Sequence, residues 1–564
     1  ASTGCAWRTT APPPAHAAAP PAQPEIATGW SPKPGWNARR FMVAAAHPLA
    51  ADAGREILQA GGSALDAAIA VQMVLALVEP QSSGIGGGAF LLHWDGREVQ
   101  AWDGRETAPA AADERLFLAP DGQPLPFDEA VFGGRAVGTP GVLKMLEAAH
   151  RQQGRLPWPR LFEPAIVLAE RGFALGPRLH GQLLADPHLR KDSLARDHFY
   201  RPDGSPYPVG HVLRNPALAA VLRAVASGGS DALHHGPVAA DLVARVRGHA
   251  VPGTLSEVDL AAYVPRQREP ICTLWLEVYR ICGFPPPSSG HLAVMQILGM
   301  LERLPAPAPG LHDRVQNGVP GPDWLHAYTE AARLAFADRA EYVADPDFVE
   351  APGGDWKTLL AAAYLQQRAA LIGPQRMKLA RPGQPPGLAP GARAPMPEQP
   401  ESGTSHISVV DGEGRAVALT STIEAQFGAR VMADGGTGLP GGYLLNNQLT
   451  DFSFTPADAA GRPVTAVAAD VVSQSVLVTC IMQLIELSYV RTSSSTHGLR
   501  EQWPDSGLDK GCPVLPHGER RDAFRPEIRH HRDRRRRGRP GGSGAARARC
   551  RGARAGAGAG AVHP

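Results

Sequence analysis

From Thr404 to Val410 the chain alternates in the two-residue rhythm of a strand, with Ile407 and Val409 on one side and Thr404, His406, Ser408 and Val410 on the other. Asp411-Gly412-Glu413-Gly414 then turns it into a second strand, Arg415 to Thr422. With a three-residue loop and Gly414 left-handed, Asp411 pairs with Arg415, and counting along the ladder sets Thr404 opposite Thr422. Upstream, Phe41 to Ala46 reads as a buried strand, followed by a helix through Ile57 that Gly61-Gly62 ends. Ser63 and Asp66 form a capping box for a helix over Ala64 to Val78, apolar on nearly every face and therefore expected to be buried. A strand over Ala89 to Trp94 meets the hairpin signal Asp95-Gly96 and returns through Glu98 to Trp102. Helical periodicity marks Val142 to Gln153, Trp158 to Arg171, Gly290 to Leu301 and Trp324 to Val343, while Gly373 to Pro400, rich in Pro and Gly, reads as an exposed loop.

The glycine-rich stretch Pro80 to Phe90 leads into a strand, whereas a phosphate-cradling loop opens a helix, so nucleotide binding is rejected and close backbone packing is expected instead. No uninterrupted apolar run reaches about 18 residues, the length a membrane span needs. Val471 to Val490 comes nearest, broken by Gln474, Gln483 and Glu486. The net charge of +2 is uneven, with 14 Arg against 4 Asp and Glu between Glu519 and Pro564 and a mildly acidic body before them. Such a body does not suggest nucleic-acid binding. Six thinly spread cysteines lack metal-site spacing. Cys272 and Cys282, ten apart, are read as lying on one strand, too far apart to bridge, so neither a zinc site nor a disulfide framework is expected. Ser2-Thr3-Gly4-Cys5-Ala6 resembles the end of a bacterial lipoprotein signal, with Cys5 the residue that would carry a lipid anchor, although a chance Gly-Cys pair reads equally well. Either reading fits a periplasmic or secreted location, and Ala11 to Pro24 reads as an extended linker.

A threonine hydroxyl is a poor nucleophile at neutral pH, and threonine enzymes recruit their own α-amino group as base, which requires a new N-terminus. Here that means a cut between Gly403 and Thr404. Thr404 to Asp411, Thr420 to Gly428 and Leu444 to Ser453, with Gly84 to Phe90 and the Arg105-Glu106-Thr107-Ala108-Pro109 motif, resemble in order the γ-glutamyltransferases, also called glutathione hydrolases. The resemblance runs from about Phe41 to about Phe454.

It implies an α+β fold of the N-terminal nucleophile hydrolases, four layers in αββα order with two stacked antiparallel sheets. It also implies a large subunit over 41–403 and a small-subunit core over 404–464. Residues 1–40 read as an export remnant and Ala/Pro-rich linker, and 465–564, Arg/Gly/Ala-rich with almost no apolar periodicity, as an aberrant, disordered tail. Thr404 would be the nucleophile, oriented by Thr422. Arg105 would hold the substrate α-carboxylate, and Gln448 and Asp451 the α-ammonium, with Glu424 standing where several family members have asparagine. The partners would be a γ-glutamyl donor such as glutathione and an amino acid, peptide or water as acceptor. No metal or organic cofactor is implied. A glutaryl-cephalosporin acylase and a catalytically silent homologue are the alternatives. After Phe454 the chain departs from the family. Ser493-Ser494-Ser495 lacks the flanks of the family's serine pair, and Gly541-Gly542 matches its oxyanion glycines by letters alone.

Overall fold

The computed structural model describes residues 38–304, 315–316, 319–388, 393–396, 403–464 and 488–491. The chain divides into residues 1–493 and 494–564, and every described residue belongs to the first unit. Expectations that fall on Cys5, the Ala11 to Pro24 linker, Ser493 to Ser495 and Gly541-Gly542 lie outside the described residues.

Six antiparallel strands form the main sheet: β1 (Met42–Ala44), β2 (Gly88–Trp94), β3 (Val99–Gly104), β4 (Arg266–Arg268), β7 (Ser405–Val410) and β8 (Ala416–Thr422). Their order across the sheet is β1-β7-β8-β2-β3-β4. The β7–β8 register pairs Ser405 with Ser421 and Val410 with Ala416, as the turn chemistry predicts, since the Asp411 amide donates to the Arg415 carbonyl at 3.0 Å and Gly414 has φ +79°.

Alternation along the strands gives the sheet two buried faces. On one, Leu91, Trp102, Ile407, Val409, Val417 and Leu419 pack under helices α1 (Pro48–Gln59), α2 (Ala64–Val78) and α3 (Val142–Gln153). All of α2 is buried, and its capping box is present: Ser63 Oγ accepts from the Asp66 amide, and the Asp66 carboxylate accepts from the Ser63 amide. The Trp158 to Arg171 pattern is interrupted, with a 3-10 turn over Trp158–Leu161 and an α-helix over Glu163–Arg171, because Pro164 has no amide hydrogen to continue a single helix.

On the other face Phe90, Leu92 and Ala101 meet Phe284, the two phenyl centroids 4.2 Å apart. Phe284 follows a hairpin of β5 (Ile271–Trp275) and β6 (Tyr279–Gly283), against which Ser488–Arg491 also pairs. Ile271 packs on Leu292 of α4 (Gly290–Glu302) and Tyr342 of α5 (Pro322–Tyr342), and these helices share a core with α6 (Ala362–Ala369). The order is therefore helices, sheet, smaller sheet, helices.

Two further expectations are corrected. Cys272 and Cys282 form a disulfide, because Leu276 (φ +51°) and Glu277 (φ +56°) turn the segment into a hairpin and set the cysteines opposite one another, with Cα atoms 4.0 Å apart. The loop before Thr404 is not wholly exposed either. Ala394 and Met396 are buried, with their amides donating to the Pro463 and Ala340 carbonyls.

Candidate active site

Thr404 stands at the head of β7, and the ladder brings its side chain to Thr422 at the end of β8. Thr404 Oγ1 lies 3.2 Å from Thr422 Oγ1 and 2.7 Å from the Gly403 carbonyl oxygen. The Thr422 hydroxyl donates to that same carbonyl at 2.8 Å while accepting the Glu424 amide at 2.8 Å. Two hydroxyls thus converge on the peptide bond that a new N-terminus would require breaking. Gly403 has φ +98°, and a Cβ there would come 3.0 Å from the Glu424 carbonyl oxygen, so the position suits only glycine.

Beyond Thr422 the backbone is strained, with Glu424, Phe427 and Arg430 all at positive φ. Such residues cost about 1–3 kcal/mol each and persist only where surrounding contacts over-determine them. Those contacts are present. The Ile423 and Phe427 amides donate to the Ser82 and Gln81 carbonyls, the Ala425 amide to Asn447 Oδ1 at 2.9 Å, and Asn447 Nδ2 to the Glu424 carboxylate. The glycine-rich stretch makes this approach possible, because a Cβ on Gly87 would sit 2.2 Å from the Thr422 carbonyl oxygen.

Asn446 staples the same loops together. Its side-chain amide donates to the carbonyls of Gly86 and Gly138 at 2.8 and 2.9 Å, and its Oδ1 accepts from the Gly138 and Gln448 amides. A 3-10 turn, Gln448–Asp451, follows and holds the acidic end of the site. The Asp451 carboxylate accepts from Gln448 Nε2 and from Arg105 Nη2, the latter at 3.1 Å. Arg105 lies just past β3, 4% exposed, with its guanidinium 5.5 Å from the Phe90 ring centroid and its carbonyl accepting from Tyr263 Oη at 2.7 Å. Burial pushes Asp451 above the usual carboxylate range, against the pull of Arg105 and Gln448.

The residues expected from the sequence therefore fall into two linked groups. Thr404 and Thr422 form one; Arg105, Gln448 and Asp451 form the other. Glu424 joins them, through its amide to Thr422 and through its carboxylate to Asn447, next to Gln448. The sequence reading missed Glu106, Asn446 and Asn447, although both asparagines sit inside the quoted motif. Among the described residues no group of three or more His, Cys, Asp or Glu side chains is arranged to hold a metal, and no helix is long and apolar enough to cross a membrane.

A threonine behind a glycine at the head of a strand, in an α+β sandwich layered as helix, sheet, sheet and helix, defines an N-terminal nucleophile hydrolase. The family described as Gamma-glutamyltranspeptidase matches residues 50–474, and the chain belongs to that family. The glutathione hydrolase proenzyme of Bacillus subtilis (strain 168) is 36% identical over 428 residues, 74% of this chain and 69% of that protein. The acylase ACY 1 proenzyme of Pseudomonas sp. (strain SE83) is 34% identical over 456 residues, 78% of this chain and 75% of that protein. The solved structure of Helicobacter pylori gamma-glutamyltranspeptidase has a TM-score of 0.57 at 31% identity, over 62% of this chain and 98% of that one.

Proposed function

We propose that the chain is a proenzyme that cuts itself before Thr404 and then moves γ-glutamyl groups from glutathione or a similar amide to water or to an amine. In the first reaction Thr404 Oγ1 attacks the Gly403 carbonyl, which the Thr422 hydroxyl already polarises. The Gly403–Thr404 C–N bond breaks as its nitrogen takes the hydroxyl proton, and water hydrolyses the resulting ester to a Gly403 carboxylate and a free Thr404 hydroxyl. In the second the freed Thr404 amine takes the proton from Oγ1 as it attacks the γ-carbonyl. A γ-glutamyl ester forms on Thr404, the leaving amine takes a proton, and water or an acceptor amine then cleaves the ester. Arg105 holds the α-carboxylate in a planar fork, and Asp451, Gln448 and Glu424 receive the α-ammonium.

The observation that carries the reading is the charge of the buried site. The Arg105 guanidinium is hydrogen-bonded to Asp451, on which Arg339 also acts, and the Glu424 carboxylate is joined to the same turn through Asn447. That arrangement fits a substrate carrying both a carboxylate and an ammonium. A glutaryl amide has no ammonium, so its carboxylate would compete with Asp451 for Arg105 with no cation brought in to compensate, at a cost of about 1–3 kcal/mol or more for a charged group. Release of aniline from γ-glutamyl anilide should therefore exceed release from glutaryl anilide at equal concentration. Preference for the glutaryl compound would make the chain an acylase. Export to a periplasm or beyond, with or without a lipid on Cys5, belongs to the same reading.

A further inference from the structure

Glu106 follows the arginine that we assign to the substrate carboxylate, yet nothing in the mechanism uses it. Its side chain is wholly buried, and neither carboxyl oxygen has a hydrogen-bond partner in another residue. Oε2 stands 3.7 Å from Arg105 Nε, outside hydrogen-bond range, and Nε is itself unpartnered. No hydrogen bond from a neighbouring residue compensates either oxygen, and two glycines pack closely against the side chain. A Cβ on Gly88 would lie 2.2 Å from Oε2, and a Cβ on Gly138 would lie 3.0 Å from the Glu106 Cβ and 3.3 Å from Leu449 Cδ2. Tyr263 Oη is spent on the Arg105 carbonyl. The charged and titratable groups that act on Glu106 are Arg105, Asp451 and Asp103, with Tyr263 beside them, and Asp103 is itself paired with Arg268 at 2.7 Å.

We propose that Glu106 is a positioning residue that takes up a proton when the substrate's α-carboxylate docks on Arg105, so that capture of the γ-glutamyl donor is proton-linked. This deepens the reading above and rests on it. In the free site two carboxylates, Asp451 and Glu106, lie against the Arg105 guanidinium, and Arg339 acts on Asp451 as well. Docking adds a third, while the substrate's ammonium compensates only Asp451. Glu106 then loses its share of Arg105, with no hydrogen bond from another residue in place to compensate it. An unpaired buried carboxylate in that position is relieved by protonation. Burial has already pushed Glu106 up to about 7, so the proton is available near neutrality. Binding raises the affinity of Glu106 for the proton further, which fixes the sign. Affinity for the donor is greatest below pH 7 and falls as pH rises through the free-site value.

The test is calorimetric titration of the full chain with L-glutamate at pH 8, in phosphate and in Tris, whose ionisation enthalpies differ. The expected result is uptake approaching one proton per L-glutamate, with the dissociation constant rising towards about tenfold per pH unit between pH 7.5 and 8.5. Glu106→Gln should bind with equal heats in both buffers and a flat pH profile. Should that variant not fold, the wild-type comparison between buffers decides alone. Equal heats in wild type would overturn the proton link and leave the γ-glutamyl reading standing. No binding of L-glutamate at either pH 6 or pH 8 would overturn both.

Discussion

Arg105 illustrates what a residue's neighbours add to its motif. Its sequence context points to a carboxylate, and the structure places it 4% exposed against Asp451. Arg105→Lys keeps the charge but loses the fork, so catalytic efficiency on γ-glutamyl anilide should fall by about 2–4 kcal/mol in transition-state binding. Unchanged efficiency would remove Arg105 from the site. Glu106 gives a second prediction, this time in stability. Its carboxyl binds a proton more tightly in the folded chain, at about 7 against an ordinary 4.5, so folding loses stability as pH rises from 4.5 through 7. Glu106→Gln should stabilise the chain by under about 1 kcal/mol near pH 5 and about 3 kcal/mol above pH 7 in chemical unfolding. The same gain at both pH values would count against the assignment. Thr404 and Thr422 were legible in the sequence because Asp411 and Gly414 fix the register. Glu106 was not, since an Arg-Glu pair in sequence looks like surface charge until the fold buries it.

Among the elements, those carrying their own start and stop signals were readable from sequence. Helix α2 begins after Ser63 and its box with Asp66, and β7 and β8 are joined by a turn that specifies itself. The β5–β6 hairpin was not readable, because its turn is built on Leu276 and Glu277, residues that seldom take positive φ. Missing that turn left Cys272 and Cys282 on one imagined strand. A third prediction follows from the observed pairing. Reduction, or Cys272→Ser with Cys282→Ser, should lower the stability of the chain by about 2 kcal/mol, read from the unfolding midpoint with and without reductant. An unchanged midpoint would show that the hairpin is held by its ladder alone.

Over the whole molecule, the layer order was inferred from family resemblance, because periodicity identifies strands without saying which sheets stack. The resemblance assigns a serine pair and two glycine amide donors to the segment after Phe454, where the motif reading of the sequence expects neither, while the family match runs on to residue 474. Losing one oxyanion donor typically costs about 3–4 kcal/mol. Replacing the residues after Phe454 with the matching segment of a glutathione hydrolase relative should therefore raise turnover of γ-glutamyl anilide at least about a hundredfold. No increase would mean that this chain completes its own site. The central claim is that Thr404 becomes an N-terminus by its own chemistry, and intact mass of purified wild type and Thr404→Ala tests it most directly. Wild type should yield one chain ending at Gly403 and another beginning at Thr404, while Thr404→Ala stays whole. A single uncut chain from wild type, or the same cut in Thr404→Ala, would contradict the account.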